Sequence, residues 1–371
     1  MTSERPWLES TAAQPRMLGP QRSLDGLRGV AIVAVLGTHV IFLDSGSPTW
    51  SLRGGFLGVD LFLGLSAFLI AAVLLRELDT RAASDGEPGF DARSFARRRF
   101  RRLYPPMMLL LVVSGVVAVA LLDKDAGQRI RQSLPAVASV ANWQRSWGDP
   151  LPFELVHLWS LSLEAQFYVL MALGLWLARR HLSGRRPVVV LLVASMGVWL
   201  WRLWLYNRGV ELPDLYEHTG TRADAMFLGV AAAIAWRNRL LADRTVQILA
   251  AVAGAFLVVA MVFSEVGSPW LYQGGFTLVA AASALVVMAA ATGPGSAATV
   301  GGWGPLRWVG EISYSLYLWH LPVFIWTVML LGDDAPLPAK AALAVPASVL
   351  AGWLSYRFVE RRTLAAWRRG N

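Results

Sequence analysis

The sequence predicts an all-α polytopic membrane bundle of about ten helices with both termini in the cytoplasm. Three observations carry that prediction. The 371 residues are 55% hydrophobic and 16% charged, against about a quarter charged in soluble domains, and mean hydropathy is +0.47. Apolar runs of roughly one membrane span follow one another with short gaps. Arginines gather in alternate gaps, as orientation determinants do.

In chain order the runs cover 24–43, 57–75, 104–122, 153–178, 187–206, 222–236, 246–264, 274–292, 311–331 and 339–357. The first carries Arg28 and His39. The second, within GFLGVDLFLGLSAFLI, has glycines that suit close helix packing. The third is expected to start at the Tyr104-Pro105-Pro106 stretch, because proline is tolerated in a first turn. The fourth contains HLWSLSLEAQFYVL. The fifth, seventh, eighth and tenth are apolar throughout most of their length. The sixth is the shortest. The ninth contains Pro322, which loosens the backbone locally. The gaps 77–96 and 123–152 are long for plain connectors. The first reads as a polar cytoplasmic loop. The second reads as an external loop whose Trp143 and Trp147 suit the membrane interface.

ARRRFRR (96–102), RRHLSGRR (179–186), WRNRLLADR (236–244) and the tail ERRTLAAWRRGN all fall on one side. That assigns 1–23 to a cytoplasmic N-terminal segment, 24–357 to the transmembrane domain and 358–371 to a basic cytoplasmic tail. Residues 1–23 are polar, with Arg5, Arg16 and Arg22, and read as no cleavable signal. The net charge of +9 follows this topology, so no nucleic-acid partner is expected. The chain has no cysteine, which excludes disulfides and thiolate chemistry. No GxSxG elbow, phosphate-cradling glycine loop or HExxH spacing occurs, and no metal site is expected.

Titratable groups at membrane depth are the informative residues, since lipid penalises them. Arg28 and His39 are separated by ten residues, about 16 Å along a helix and almost three whole turns. Both can face one cavity, with one group near the membrane face and one deep inside; a packing histidine bonded between helices is the alternative. Glu164 lies at similar depth, with His157 one to two turns away, and a purely structural carboxylate is its alternative. GEISYSLYLWHLPV (310–323) places His320 near Tyr314 and Tyr317, where packing and catalysis fit equally well. FARRRFRRLYPP (95–106) reads as a stop-transfer cluster or as a grip for phosphates, to which Arg is suited. Arg222 and Asp224, in TGTRADAMFLG, are expected at the outer mouth of the sixth helix, pairing with each other or binding a polar acceptor. Arg202 and Arg208 can line the same mouth.

These segments, in this order, resemble membrane acyltransferase family 3, whose members are O-acyltransferases. The resemblance runs from LDGLRGVAIVAVLGTH through RRFRRLYPP, HLWSLSLEAQFYVL, TRADAMFLG and EISYSLYLWHLPV to YRFVERR. The family's Arg-x10-His pair matches Arg28 and His39, its Arg-x-x-Arg pair matches Arg99 and Arg102, and its glutamate matches Glu164. The resemblance implies no bound cofactor. It implies acyl-coenzyme A, in the first place acetyl-coenzyme A, as co-substrate on the cytoplasmic side and transfer to an acceptor at the outer face. Many relatives add a C-terminal extracytoplasmic hydrolase-like domain, which this form is expected to lack; a separate extracytoplasmic partner or a homo-oligomer is left open.

The expected protein is thus a multi-pass O-acyltransferase of a bacterial inner membrane. It moves an acyl group to a hydroxyl of a carbohydrate, glycolipid or glycosylated metabolite. His39 serves as general base or as acyl-carrying nucleophile, Glu164 orients the imidazole, and Arg28 anchors the donor. Arg98, Arg99, Arg102 and Tyr104 bind the donor. His157, His320, Tyr317, Arg222 and Asp224 act near the acceptor. A proton-coupled transporter or exporter is the alternative, since such carriers also use midplane His, Glu and Arg. No internal repeat of the kind they often show is visible.

Overall fold

The computed structural model describes residues 16–17, 22–43, 52–122, 125–148 and 150–363. The remaining parts of the expected N-terminal segment and basic tail lie outside the described residues. Among the described residues there is no strand, as expected where lipid forces backbone groups to pair within their own segment.

Nine described helical segments are long and apolar enough to cross a membrane. They contain α1 (Arg22–His39), α2 (Gly58–Asp85), α3 (Ala92–Leu122), a 3-10 lead-in with α5 (Trp159–Leu177), α6 (Arg186–Asn207), α9 (Asp243–Phe263), α10 (Phe276–Thr292), α13 (Ser313–Leu331) and α14 (Leu337–Ser355). Shorter helices join them: α4 (Ala126–Val137), α7 (Leu212–Glu217), α11 (Ser296–Gly302) and α12 (Gly304–Glu311). The expected sixth helix is α8, Thr219–Arg237. Arg222 and Asp224 lower its hydropathy, but it packs against α2, α6 and α10 and is buried almost throughout. A helix ringed by protein presents little surface to lipid and so can hold charge.

The centre of the bundle is α2. Its most apolar window is 78% buried, against 11% for the peripheral α6. Gly229 of α8 lies so close to α2 that a Cβ there would meet the Gly64 carbonyl oxygen at 2.5 Å. The glycine-rich second helix thus packs closely, as its composition suggested. On the other side, Gly29 of α1 meets the backbone of α12: a Cβ would sit 2.1 Å from the Leu306 oxygen.

The structure corrects three boundaries. The expected loop 77–96 is mostly helix, because α2 runs on to Asp85 and α3 begins at Ala92. Charged residues extend both helices beyond the apolar layer, with Glu77 and Arg81 at i,i+4 spacing. Pro105 and Pro106 accordingly lie inside α3, not in its first turn. Pro105 has no N–H for the Arg101 carbonyl, and the Thr363 hydroxyl donates to that carbonyl instead at 3.0 Å. The expected loop 123–152 contains α4 and two 3-10 turns, and these carry Trp143 and Trp147.

Candidate active site

Two chambers open between α1, α2, α5 and α13. One is an arginine chamber of 280 Å³. From α1 comes Arg28; from α3 come Arg99 and Arg102, which share a helix face at i,i+3; from α5 come Ser160, Glu164 and Tyr168, at i, i+4 and i+8. Arg28 pairs with Asp25 at 2.8 Å, one turn away. The guanidinium of Arg99 lies against the rings of Phe95 and Tyr168, 5.7 and 5.5 Å from their centroids. Arg102 faces Glu360 at 3.5 Å, and the Ser315 hydroxyl donates to that carboxylate at 2.9 Å. Glu164 accepts a hydrogen bond from the Tyr168 hydroxyl. The chamber therefore offers three cations among apolar side chains of α2, including Leu63, Leu69 and Ile70.

The other is a histidine chamber of 590 Å³. His39 and His157 line it, together with Thr38, Arg53, Tyr216 and Glu217. His39 stacks on His320, with ring centroids 5.0 Å apart, and its Nδ1 lies 2.8 Å from His320 Nε2. The tautomers follow from the partners. His320 Nδ1 lies 2.6 Å from the Tyr317 carbonyl, which can only accept, so Nδ1 carries the proton. His320 Nε2 is then the acceptor, and His39 Nδ1–H is the donor. The lone pair of His39 is thereby assigned to Nε2. His157 is set in the same way: Nε2 donates to the Leu318 carbonyl at 3.1 Å, and its buried Nδ1 has no hydrogen-bond partner among the described residues.

Val59 and Tyr317 line both chambers. The Tyr317 hydroxyl donates to the His157 carbonyl at 2.9 Å and meets Ser160 Oγ at 2.7 Å. Tyr317 thus stands where the two chambers meet, with the arginines on one side and His39 on the other. The expected single cavity for Arg28 and His39 is thus two chambers, because Tyr317 of α13 crosses between them. Of the two chambers Glu164 lines the arginine one, and the ring partner of His39 is His320; among the described residues the expected orienting contact from Glu164 is not made.

Of the expected donor-binding residues, Arg99 and Arg102 reach the chamber. Arg98 points to Glu77 at 3.9 Å. The Tyr104 hydroxyl donates to the Val137 carbonyl at 3.1 Å and its ring stacks on Phe100, tying α3 to α4. Neither lines the arginine chamber. Arg222 and Asp224 are not at a mouth. Arg222 pairs with Asp60 of α2 at 2.8 Å, and Asp224 pairs with Arg202 of α6 at 3.0 Å and accepts from Thr277 of α10 at 2.6 Å. Side chains two residues apart do not face each other on a helix, so each turns to a different neighbour. All four charged groups are buried.

Sequence reasoning passed over Glu360 and Asp60. Glu360 stands in YRFVERR and was readable only as part of a basic tail. Asp60 is a single carboxylate inside a glycine-rich apolar run, which was itself a usable signal. At the rim of the histidine chamber, Arg145 and Glu217 pair at 3.4 Å. Burial holds the Glu217 carboxyl above its ordinary range, against the pull of Arg145. Among the described residues no group of three His, Asp or Glu side chains is arranged to hold a metal ion.

A family profile described as an acyltransferase domain matches residues 21–357. The chain belongs to acyltransferase family 3. It is 30% identical over 354 residues to the peptidoglycan O-acetyltransferase OatA of Listeria monocytogenes, covering 91% of this chain and 55% of that one. It is 31% identical over 359 residues to YrhL of Bacillus subtilis, which is provisionally named a peptidoglycan O-acetyltransferase, covering 91% and 54%. A provisionally named O-acetyltransferase of Staphylococcus aureus strain COL is 31% identical over 360 residues, covering 91% and 56%. The chain thus spans about half the length of the curated relatives it matches. No solved structure matches it significantly. The family match and the nine apolar helical segments together make this a multi-pass membrane protein.

Proposed function

We infer that this family member is a membrane O-acyltransferase that moves an acetyl group from acetyl-coenzyme A to a hydroxyl of an envelope glycan or related sugar-containing acceptor. One observation carries the reading: two chambers, one lined by three arginines and one holding the His39 imidazole, meet at a shared tyrosine. Such an arrangement suits a donor entering from one side and an acceptor from the other. The bias of arginines toward the Arg28 end supports a cytoplasmic donor side.

Arg99 and Arg102 are suited to phosphate oxygens, which they can grip bidentately. Arg28, contributed by α1, anchors the donor. A chamber of 280 Å³ is at the small end for ligand sites, about 300–1,000 Å³. It therefore takes the pantetheine arm, and the nucleotide stays at the surface. Glu164, held by Tyr168, balances the arginines and shapes this chamber.

In the transfer step, His39 Nε2 takes the proton of the acceptor hydroxyl. The hydroxyl oxygen attacks the thioester carbon, the C–O bond forms and the C–S bond breaks. The departing thiolate is protonated to free coenzyme A by the proton His39 gained. The transient imidazolium is held by its Nδ1–H bond to His320, which the Tyr317 carbonyl orients. His157 lines the same chamber and acts near the acceptor.

The test is transfer of labelled acetyl from acetyl-coenzyme A to glycan in everted membrane vesicles. His39→Ala is expected to abolish transfer while the protein still inserts. Near-normal transfer by that variant, or wild-type transfer that proceeds without thioester consumption, would refute the reading.

A further inference from the structure

Beside the histidine chamber lies a second hollow that the chemistry above leaves unused. It has a volume of 550 Å³ and is lined by Trp143, Trp147, Trp201, Ser146, Asp214 and His218. The three indoles are 39%, 58% and 48% exposed. They form an open aromatic shelf, continued by Leu205, Val210 and Leu215, with Ser146, Asp214 and His218 among its polar members. Ser146 Oγ donates to Asp214 Oδ1 at 3.1 Å and lies 2.9 Å from His218 Nε2.

This trio is not a nucleophile relay. In a relay the serine and the carboxylate sit on opposite ring nitrogens. Here Asp214 Oδ1 approaches the same Nε2 that Ser146 does, at 3.9 Å. What remains is a carboxylate, a hydroxyl and an imidazole beside flat aromatic faces. Indole faces carry negative electrostatic potential, which suits the weakly positive C–H face of a pyranose ring. The polar trio suits its hydroxyls, with both donors and acceptors available. Tryptophans of a lipid-interface belt need no acid and imidazole in a shared concavity.

The hollow also adjoins the histidine chamber. Arg145 and Glu217 line that chamber, and their chain neighbours Ser146, Trp147 and His218 line the hollow. The 3-10 turn at 145–147 and α7 with its cap thus form a common wall.

We propose that the hollow is a saccharide subsite, holding the sugar next to the one presented to His39, so that the acceptor spans at least two sugars. The proposal rests on the acyl-transfer reading above. The choice of probe sugar follows the names of the peptidoglycan-modifying relatives.

The test is calorimetric titration of the full chain, in nanodiscs of phosphatidylcholine, with N-acetylglucosamine and with chitotetraose. Wild type is expected to bind the tetramer more tightly than the monomer. Trp147→Ala should lower the tetramer-to-monomer affinity ratio about tenfold, equivalent to about 1.4 kcal/mol. Trp147→Phe, which keeps a stacking face, should retain most of the ratio. Asp214→Asn should lower it about threefold, and Trp303→Ala, outside the hollow, should leave it unchanged. Should Trp147→Ala misfold by thermal unfolding, Trp143→Ala and Asp214→Asn carry the same comparison. Equal affinity for the two sugars in wild type, or an unchanged ratio in the hollow variants, overturns the proposal; the latter assigns the indoles to lipid. Failure of the acyl-transfer reading looks different: a length-dependent sugar affinity with no thioester turnover.

Discussion

Replacing His320 by leucine removes the acceptor of the His39 Nδ1–H bond while filling much of the same volume. In the ground state that 2.8 Å contact joins two neutral rings, and such a bond contributes about 0.5–1.5 kcal/mol. As His39 takes a proton its donor becomes charged, and the bond is then worth roughly 1.5–3 kcal/mol. The transition state therefore loses about 1–1.5 kcal/mol more than the ground state, or roughly tenfold in kcat at 1.36 kcal/mol per decade. Losing the partner also frees His39 to carry its proton on Nε2, the wrong nitrogen, which extends the expected loss toward a hundredfold. His320→Gln, whose side-chain oxygen can accept from Nδ1–H, should recover part of it. Kinetics of acetyl transfer at saturating donor measure the effect, with little change expected in donor KM because His320 does not line the arginine chamber. In a His39→Ala background, His320→Leu should add nothing. A kcat within twofold of wild type, or losses that add in the double variant, would refute the tautomer argument.

Charge reversal at Arg99 and Arg102 should raise the donor KM at least about tenfold with a smaller fall in kcat, as expected when an interaction shared by ground and transition states is removed; an unchanged KM would reduce them to topology determinants. Arg222→Met leaves Asp60, itself buried, without its cation and should destabilise the fold by about 3–5 kcal/mol, with Asp60→Leu in the same chain restoring most of it; thermal unfolding in detergent reads both. Glu217 supplies a pH test. Its raised folded pKa means that the folded state keeps a proton which the unfolded chain loses above the ordinary 4.5. Stability therefore falls as pH rises through that window, and Glu217→Gln should flatten the fall in unfolding midpoints measured between pH 4.5 and 7.

The two histidine variants and the arginine variants probe residues of unequal legibility. His39, Arg28 and Glu164 stand out in the sequence because each is a polar group at a depth where lipid penalises it. Tyr317 and His320 lie in one motif whose role stayed open, since a histidine can pack as readily as react. The pairing of Arg222 was misread because its partner, Asp60, is 162 positions away on another helix. Tyr104 and Arg98 were grouped with Arg99 and Arg102 by adjacency, but a helix turns successive side chains about 100° apart, so neighbours in a charge run face different surroundings.

The chain by itself determined an all-α membrane bundle and the order of its spans, because in lipid each segment must satisfy its own backbone hydrogen bonds and its apolar length sets its reach. It also determined that Arg28 and His39 share a helix bearing, which is a matter of 3.6 residues per turn. Tertiary packing decided what those bearings meet. Helix α13 inserts Tyr317 between the two groups, turns His320 into the partner of His39 and leaves Glu164 with the arginines. These are contacts between side chains remote in sequence, set by interhelical approach, and local periodicity carries no record of them.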